Sequence, residues 1–362
     1  MKNTKEKPIA KDGKAWYSCG MEKKTVKRLS LKKELVGLLC LVAALAVLAT
    51  AAGRVLTPKR LDYGATWDMY LQEPENTVDV LFYGSSLVYL NIAPGAIYDE
   101  TGVASYVMGG PEQTFALTYR YLVESCKTQS PQTAFVEATG LLSAQTNRSL
   151  KVNLTYMPWG ENRLAATFEE ASQKELPGLL FPLYAYHDRW DDLTEQDWQI
   201  GIHGYETDPL AGYTFIAKKQ PIGEIREREF EDAEENYSRN LEIAGKIAGF
   251  CRQENIRLVF FISPGTERIG DELIQQMRND LTGLGVDFVD FNETFDQVGF
   301  DLSADFYDPL HTNVYGADKF SRYLANRLGE FGVVPSGRED KALWQERVDV
   351  FRQKLAEGGT GE

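Results

Sequence analysis

Histidine is scarce in this chain, with three in 362 residues, and cysteine is hardly commoner, with four. No CxxC pair and no zinc-type spacing occurs, which argues against a metal site, and no motif calls for any other cofactor. Cys19 and Cys40 precede and lie within the one long apolar run. Only Cys126 and Cys251 belong to the body; two buried free thiols are expected there, with a disulfide between them as the alternative if the body is extracytoplasmic. Internal repeats and low-complexity blocks are lacking too, so solenoids and fibrous folds are set aside. Basic charge is lacking where it would matter for nucleic acid. Residues 1–60 hold 14 Lys and Arg against 4 Asp and Glu, a surplus of +10, and with −14 for the whole chain the remainder carries −24. An acidic body of that size repels phosphate, so DNA and RNA are poor partners.

Leu35 to Ala52 is an uncharged apolar run, at the short end of the roughly 17–25 residues that span a bilayer as a helix. Lys23, Lys24, Lys27, Arg28, Lys32 and Lys33 precede it, and such residues stay on the cytoplasmic side, so the N-terminus is expected inside and the body outside. Ala49-Thr50-Ala51 also fits a signal-peptidase site, so a cleaved signal is the competing reading. The long basic leader and the run length favour an uncleaved single-pass anchor in the cell membrane. Either way the body leaves the cytoplasm. The expected division is a cytoplasmic basic leader (1–34, its first twenty residues disordered), an anchor (35–53), a linker (54–76), an α/β domain (77–335) and a charged C-terminal helix or tail (336–362).

From Thr77 onward short β-rich runs alternate with helical stretches. Val78–Tyr83, Ala104–Met108, Ala134–Glu137, Arg257–Ile262 and Val286–Phe291 read as strands. Glu234–Glu254, Glu272–Leu284 and Val314–Leu328 read as helices. Continuous apolar strands separated by helices predict a parallel sheet covered on both faces, a three-layer α/β/α sandwich. Between 141 and 229 the alternation stops. This stretch, rich in aromatic and polar residues, is too long for an ordinary loop and reads as an inserted cap or a surface excursion.

Ligands in such sheets bind beyond the carboxyl ends of the strands. Gly84-Ser85-Ser86 falls there, and a serine opening a turn after a strand has an exposed hydroxyl near unpaired N–H groups. After the last strand comes Asp308-Pro309-Leu310-His311. That spacing lets the carboxylate reach one imidazole nitrogen and leaves the other to take the serine proton. The predicted catalytic set is Ser86, His311 and Asp308. In the cap, His187, Arg189 and Trp190 are candidates for substrate contact, Arg189 for an anion and Trp190 for stacking on a sugar. A buried polar cluster holding the cap is the alternative.

These motifs together resemble the SGNH/GDSL hydrolases. FYGSSLVYL (Phe82–Leu90) is similar to the family's first motif, Gly109-Gly110 to the second, and FYDPLHTNVYGADKF (Phe306–Phe320) to the last. The resemblance covers about Thr77–Glu330. It implies a flavodoxin-like sheet of order 2-1-3-4-5 and an oxyanion hole using the N–H of Gly110. The family's third motif, Gly-x-Asn-Asp, is not matched: that strand end reads Phe135-Val136-Glu137-Ala138-Thr139-Gly140, without asparagine. The hole would then rest on the N–H groups of Ser86 and Gly110, helped by Thr139. Teichoic-acid D-alanylation proteins and polysaccharide O-acetylation proteins are similar in joining an anchor to such a body. The resemblance therefore implies an esterase or O-acyltransferase acting on acyl esters of cell-surface polysaccharide, with a membrane-bound O-acyltransferase as donor partner. A catalytically weak scaffold of an envelope acylation complex and a secreted lipase or esterase are the alternatives.

Overall fold

A computed structural model describes residues 31–64, 67–144 and 149–358. The chain divides into two units, the first ending at Ala49 and the second running from Thr50. Within the first lies most of helix α1 (Leu31–Leu56), whose stretch from Lys32 to Leu56 is long and apolar enough to cross a membrane. The leader as far as residue 30, with the disorder expected there, lies outside the described residues.

In the second unit α2 (Trp67–Tyr70) precedes β1 (Val80–Gly84), α3 (Ser86–Tyr89), α4 (Pro94–Thr101), β2 (Ser105–Gly109), α5 (Phe115–Ser125) and β3 (Thr133–Glu137). The insertion follows with α6 (Leu150–Thr155), α7 (Glu161–Glu170), α8 (Leu176–Leu180), α9 (Pro182–Tyr186) and α10 (Glu195–His203). Then come β4 (Arg226–Glu227), α11 (Ala233–Gln253), β5 (Arg257–Ile262), β6 (Glu267–Arg268), α12 (Asp271–Gly283), β7 (Asp287–Asp290), α13 (Phe295–Val298), α14 (Val314–Arg327) and α15 (Lys341–Gly358).

Five strands form one sheet in the order β2-β1-β3-β5-β7, with every neighbouring pair parallel. The sequence reading counted five strands. Two more, β4 and β6, pair only with each other in a separate two-residue ribbon. Alternate strand residues point to opposite faces, and both faces are dry. Leu81, Tyr83, Val136 and Phe260 pack with Tyr121, Ile247 and Met277 of α5, α11 and α12. Val80, Phe82, Phe135 and Phe261 pack with Ile97, Phe320 and Leu324 of α4 and α14. Each such side chain contributes roughly 1.5–3 kcal/mol by leaving water.

Two expected peripheral segments belong to this core. The stretch 54–76 is no free linker: Trp67 and Tyr70 are fully buried, with Trp67 edge-on to Tyr121 and Tyr70 edge-on to Tyr106. The charged tail contains α15, whose Trp344, Val348 and Phe351 recur at helical spacing and are buried. Its Arg347, also buried, pairs with buried Glu73 and donates to the Asp208 carbonyl at 2.9 Å. Apolar spacing within a highly charged segment concealed that role.

The stretch expected to be a cap or surface excursion carries helices α6 to α10, and α7 holds a second buried arginine. Arg163 donates to the carbonyls of Met157 (2.7 Å) and Thr155 (3.1 Å) and lies 3.8 Å from the Trp159 ring centroid. Burial lowers its pKa to about 10. Cys126 and Cys251 are free thiols, each pushed up to about 12 by burial.

Candidate active site

The turn that carries Ser86 is made by Gly84, the last residue of β1, at φ +155°. A Cβ there would lie 2.6 Å from Val88 Cγ2 and 2.8 Å from Glu137 Cβ, so both conformation and space require glycine. Ser85 then caps α3, accepting from the Leu87 N–H at 3.4 Å, and Ser86 becomes the first helical residue with its side chain half-buried. The N–H of Ser86 has no intrahelical acceptor, as first-turn amides do not.

Opposite it, the Asp308–His311 turn is held from both ends. Pro309 O accepts from the Thr266 hydroxyl (2.8 Å) and N–H (2.9 Å), the residue just before β6. Beyond the turn, Asn313 caps α14 by accepting from the N–H groups of Tyr315 and Gly316 at 3.0 and 3.2 Å. Gly316 allows the close fit, since a Cβ on it would sit 2.2 Å from the Asp305 carbonyl. A cavity of about 450 Å³ opens beside Pro309, walled by Gln220, Ile222, Arg226 and Thr266 among others.

The three residues singled out from sequence meet. His311 Nδ1 lies 2.8 Å from Asp308 Oδ2 and 2.9 Å from Oδ1, and His311 Nε2 lies 2.7 Å from Ser86 Oγ. Because a carboxylate only accepts, Nδ1 carries the proton and Nε2 presents its lone pair to the Ser86 hydroxyl. Burial raises the Asp308 pKa, but the hydrogen bond from His311 and the N–H groups of Leu310 and His311 outweigh it, and the net shift is downward. The carboxylate therefore stays ionised and fixes the imidazole tautomer. This array can take a proton from Ser86 and make its oxygen a nucleophile.

The oxyanion side differs from the sequence reading. Gly110 donates its N–H to the Gly84 carbonyl at 3.2 Å, extending the β1–β2 ladder. Thr139 spends both its donors on Glu137, the hydroxyl at 2.6 Å and the N–H at 3.1 Å. Of the three expected groups, only Ser86 keeps an uncommitted N–H. Glu137 is itself buried under the turn that carries Ser86, and burial lifts its pKa to about 7 despite the bonds from Thr139.

Of the cap candidates, Arg189 has protein partners, while His187 and Trp190 are exposed. Arg189 donates to the Leu56 carbonyl and to Asp197 Oδ2 (3.2 Å), so it latches the end of α1 and pairs with a carboxylate of the protein itself. His187 is exposed, with Nδ1 2.9 Å from the Tyr184 carbonyl, and Trp190 is exposed. Sequence reasoning missed a buried clamp. Asn91 donates to Ser263 Oγ (2.8 Å) and accepts from the Thr312 N–H (2.9 Å), while Ser263 donates to the Leu87 carbonyl (2.9 Å). The neighbours of Ser86 and of His311 are thus tied together. It also missed Asn153 of α6 and Gln113. Their side-chain oxygens lie 2.2 and 2.9 Å from where a Gly110 Cβ would be, both buried and without a protein partner. No motif marks either, since both are isolated amides within an insertion and a turn. Among the described residues no group of three or more His, Cys, Asp or Glu could hold a metal ion.

No model of a known protein family matches the chain, and no curated protein matches it significantly.

Proposed function

We propose that this chain is a serine esterase or O-acyltransferase of the SGNH type, acting outside the cytoplasm on acyl esters of cell-envelope polysaccharide. The observation that carries the reading is the contact of Ser86, His311 and Asp308, brought together from the two ends of a 225-residue separation. Ser86 attacks the acyl carbonyl, His311 takes and returns the proton, and Asp308 orients the ring. The fold supports the family reading: with the two-residue ribbon left out of the count, the sheet strands run 2-1-3-4-5. The apolar α1 after a basic leader supports an anchor with its N-terminus in the cytoplasm. The orphan oxygens of Asn153 and Gln113 beside Gly110 suit a hydrogen-bond-donating substrate, such as a sugar hydroxyl or an aminoacyl ammonium, better than a fatty chain. A membrane-bound O-acyltransferase would supply the acyl group.

A scaffold with the fold but little turnover is the second reading, favoured by the commitment of Gly110 and Thr139 elsewhere. Loss of one oxyanion donor costs about 10²–10³ in rate. A fluorophosphonate probe separates the two. Covalent labelling of the wild-type chain at Ser86, lost in Ser86→Ala, is expected. An unlabelled wild-type chain, or equal acyl-ester turnover by Ser86→Ala, would sink the enzymatic reading.

A further inference from the structure

We infer that the aromatic surface of the cap around α10 rests in the headgroup region of the bilayer that α1 crosses, so that the active site works at the membrane surface. This rests on reading α1 as a membrane span. Among the described residues from Thr50 onward, eight of the thirteen exposed large hydrophobic side chains lie between Trp159 and Ile202. Exposed apolar side chains mark an interaction surface where they lie together in space, as Trp198 and Ile202 do on one face of α10.

The same part of the cap holds the exit of the apolar helix. Gly201 lets α10 approach α1 closely: a Cβ on it would lie 2.9 Å from Val55 Cγ2 and 3.4 Å from the Arg54 carbonyl. Arg189 grips the Leu56 carbonyl next door. Val55 follows the apolar run's last residue, Ala52, by three helical positions, about 5 Å of rise. On α10, Trp198 (44% exposed) and Ile202 (62%) flank Gly201 within about 100° of helical arc. Trp190 (56%) adjoins Arg189. Trp190 and Trp198 therefore adjoin the point where the chain leaves its apolar segment, which is where Trp and Tyr gather in membrane proteins. Exposed Asp188, Asp191, Asp192 and Glu195 alternate with them, and these carboxylates would hold the surface at headgroup depth and out of the acyl core.

From Leu56 the chain reaches the glycine motif in eight residues. Gly64 packs on Gly110, where a Cβ would be 2.6 Å from Gly110 Cα, and the Tyr63 N–H donates to Thr214 Oγ1 at 2.9 Å. Eight residues span at most about 29 Å. The nucleophile's flank is tethered within that distance of the helix exit, which suits a substrate or acyl donor that is itself in the membrane.

The test uses the full chain carrying Trp16→Phe and Trp159→Phe, reconstituted in phosphatidylcholine vesicles brominated near the headgroup end of the acyl chains. Trp67 and Trp344, the other tryptophans left besides Trp190 and Trp198, are buried in the body. Bromolipid should quench the emission, because two of the four remaining tryptophans are placed at headgroup depth. Adding Trp190→Phe and Trp198→Phe should abolish that loss, and deep-brominated lipid should quench less. An equal quenched fraction with and without the pair, in a chain that resists alkaline carbonate extraction, overturns this inference alone. Release by carbonate overturns the membrane-span reading and this one together. Trp198 protected from oxidation only in native membranes, and unquenched in vesicles, overturns it in favour of a protein partner.

Discussion

At the residue scale the unusual group is Glu137. Its carboxyl lies beneath the turn that carries Ser86, where burial raises the pKa from 4.5 to about 7. Between those values the folded chain holds a proton that the unfolded chain has released. Stability from this group therefore falls as pH rises through the window and stays lower above it, by about 3 kcal/mol. Glu137→Gln keeps the shape and removes the titration. The expected outcome is little change in melting at pH 5 and a gain of about 1–3 kcal/mol at pH 8, followed by thermal unfolding across pH. A parallel fall in both proteins would show that Glu137 does not titrate there. Asp308 is shifted the other way, so its stabilising contribution is present above the unfolded carboxylate pKa and is lost as pH falls through the lower folded one.

At the element scale, the proposed catalysis depends on α3 and the Asp308–His311 turn keeping their spacing. Asn91 and Ser263 bridge them, from the Leu87 carbonyl on one side to the Thr312 N–H on the other. Replacing Asn91 by Leu should lower kcat about 10–100-fold with KM nearly unchanged, because the ring would drift from the hydroxyl while the substrate surface stays. Stability should fall by about 1–3 kcal/mol from the stranded partners. Steady-state kinetics on an activated acyl ester measure the first and denaturant unfolding the second. An unchanged kcat with lowered stability would make the bridge purely structural. Most core elements were legible. The helices expected at 234–254, 272–284 and 314–328 span 233–253, 271–283 and 314–327, because amphipathic spacing and the Asn313 cap mark them. The two-residue β4 and β6 were not legible, since two residues carry no periodicity.

At the scale of the whole molecule, the charged C-terminal segment closes the fold. Arg347 on α15 and Glu73 before β1 form a pair buried on both sides, 274 residues apart. Arg347→Met leaves Glu73 buried without its partner and should cost about 3–5 kcal/mol, whereas Arg347→Met with Glu73→Gln should recover part of it. Melting temperatures of the wild type, both single variants and the double variant close the cycle. Equal losses in the single and double variants would show that the charge left behind is not the cause.

The sequence by itself determined the repeating units of this protein: apolar strands, amphipathic helices, one long apolar run, and a serine and an Asp-x-x-His turn placed after strands. Those are local patterns, set by side-chain periodicity and turn chemistry over a few residues. Tertiary structure alone decided the use of each polar group. Gly110 and Thr139 could serve an oxyanion by residue type, yet neighbouring acceptors at Gly84 and Glu137 take their hydrogens. Arg189 suits an anionic substrate by chemistry, yet it latches a helix end and pairs with Asp197. A buried donor must satisfy whatever acceptor the packed chain brings beside it, and that partner is chosen across long sequence separations that no local pattern records.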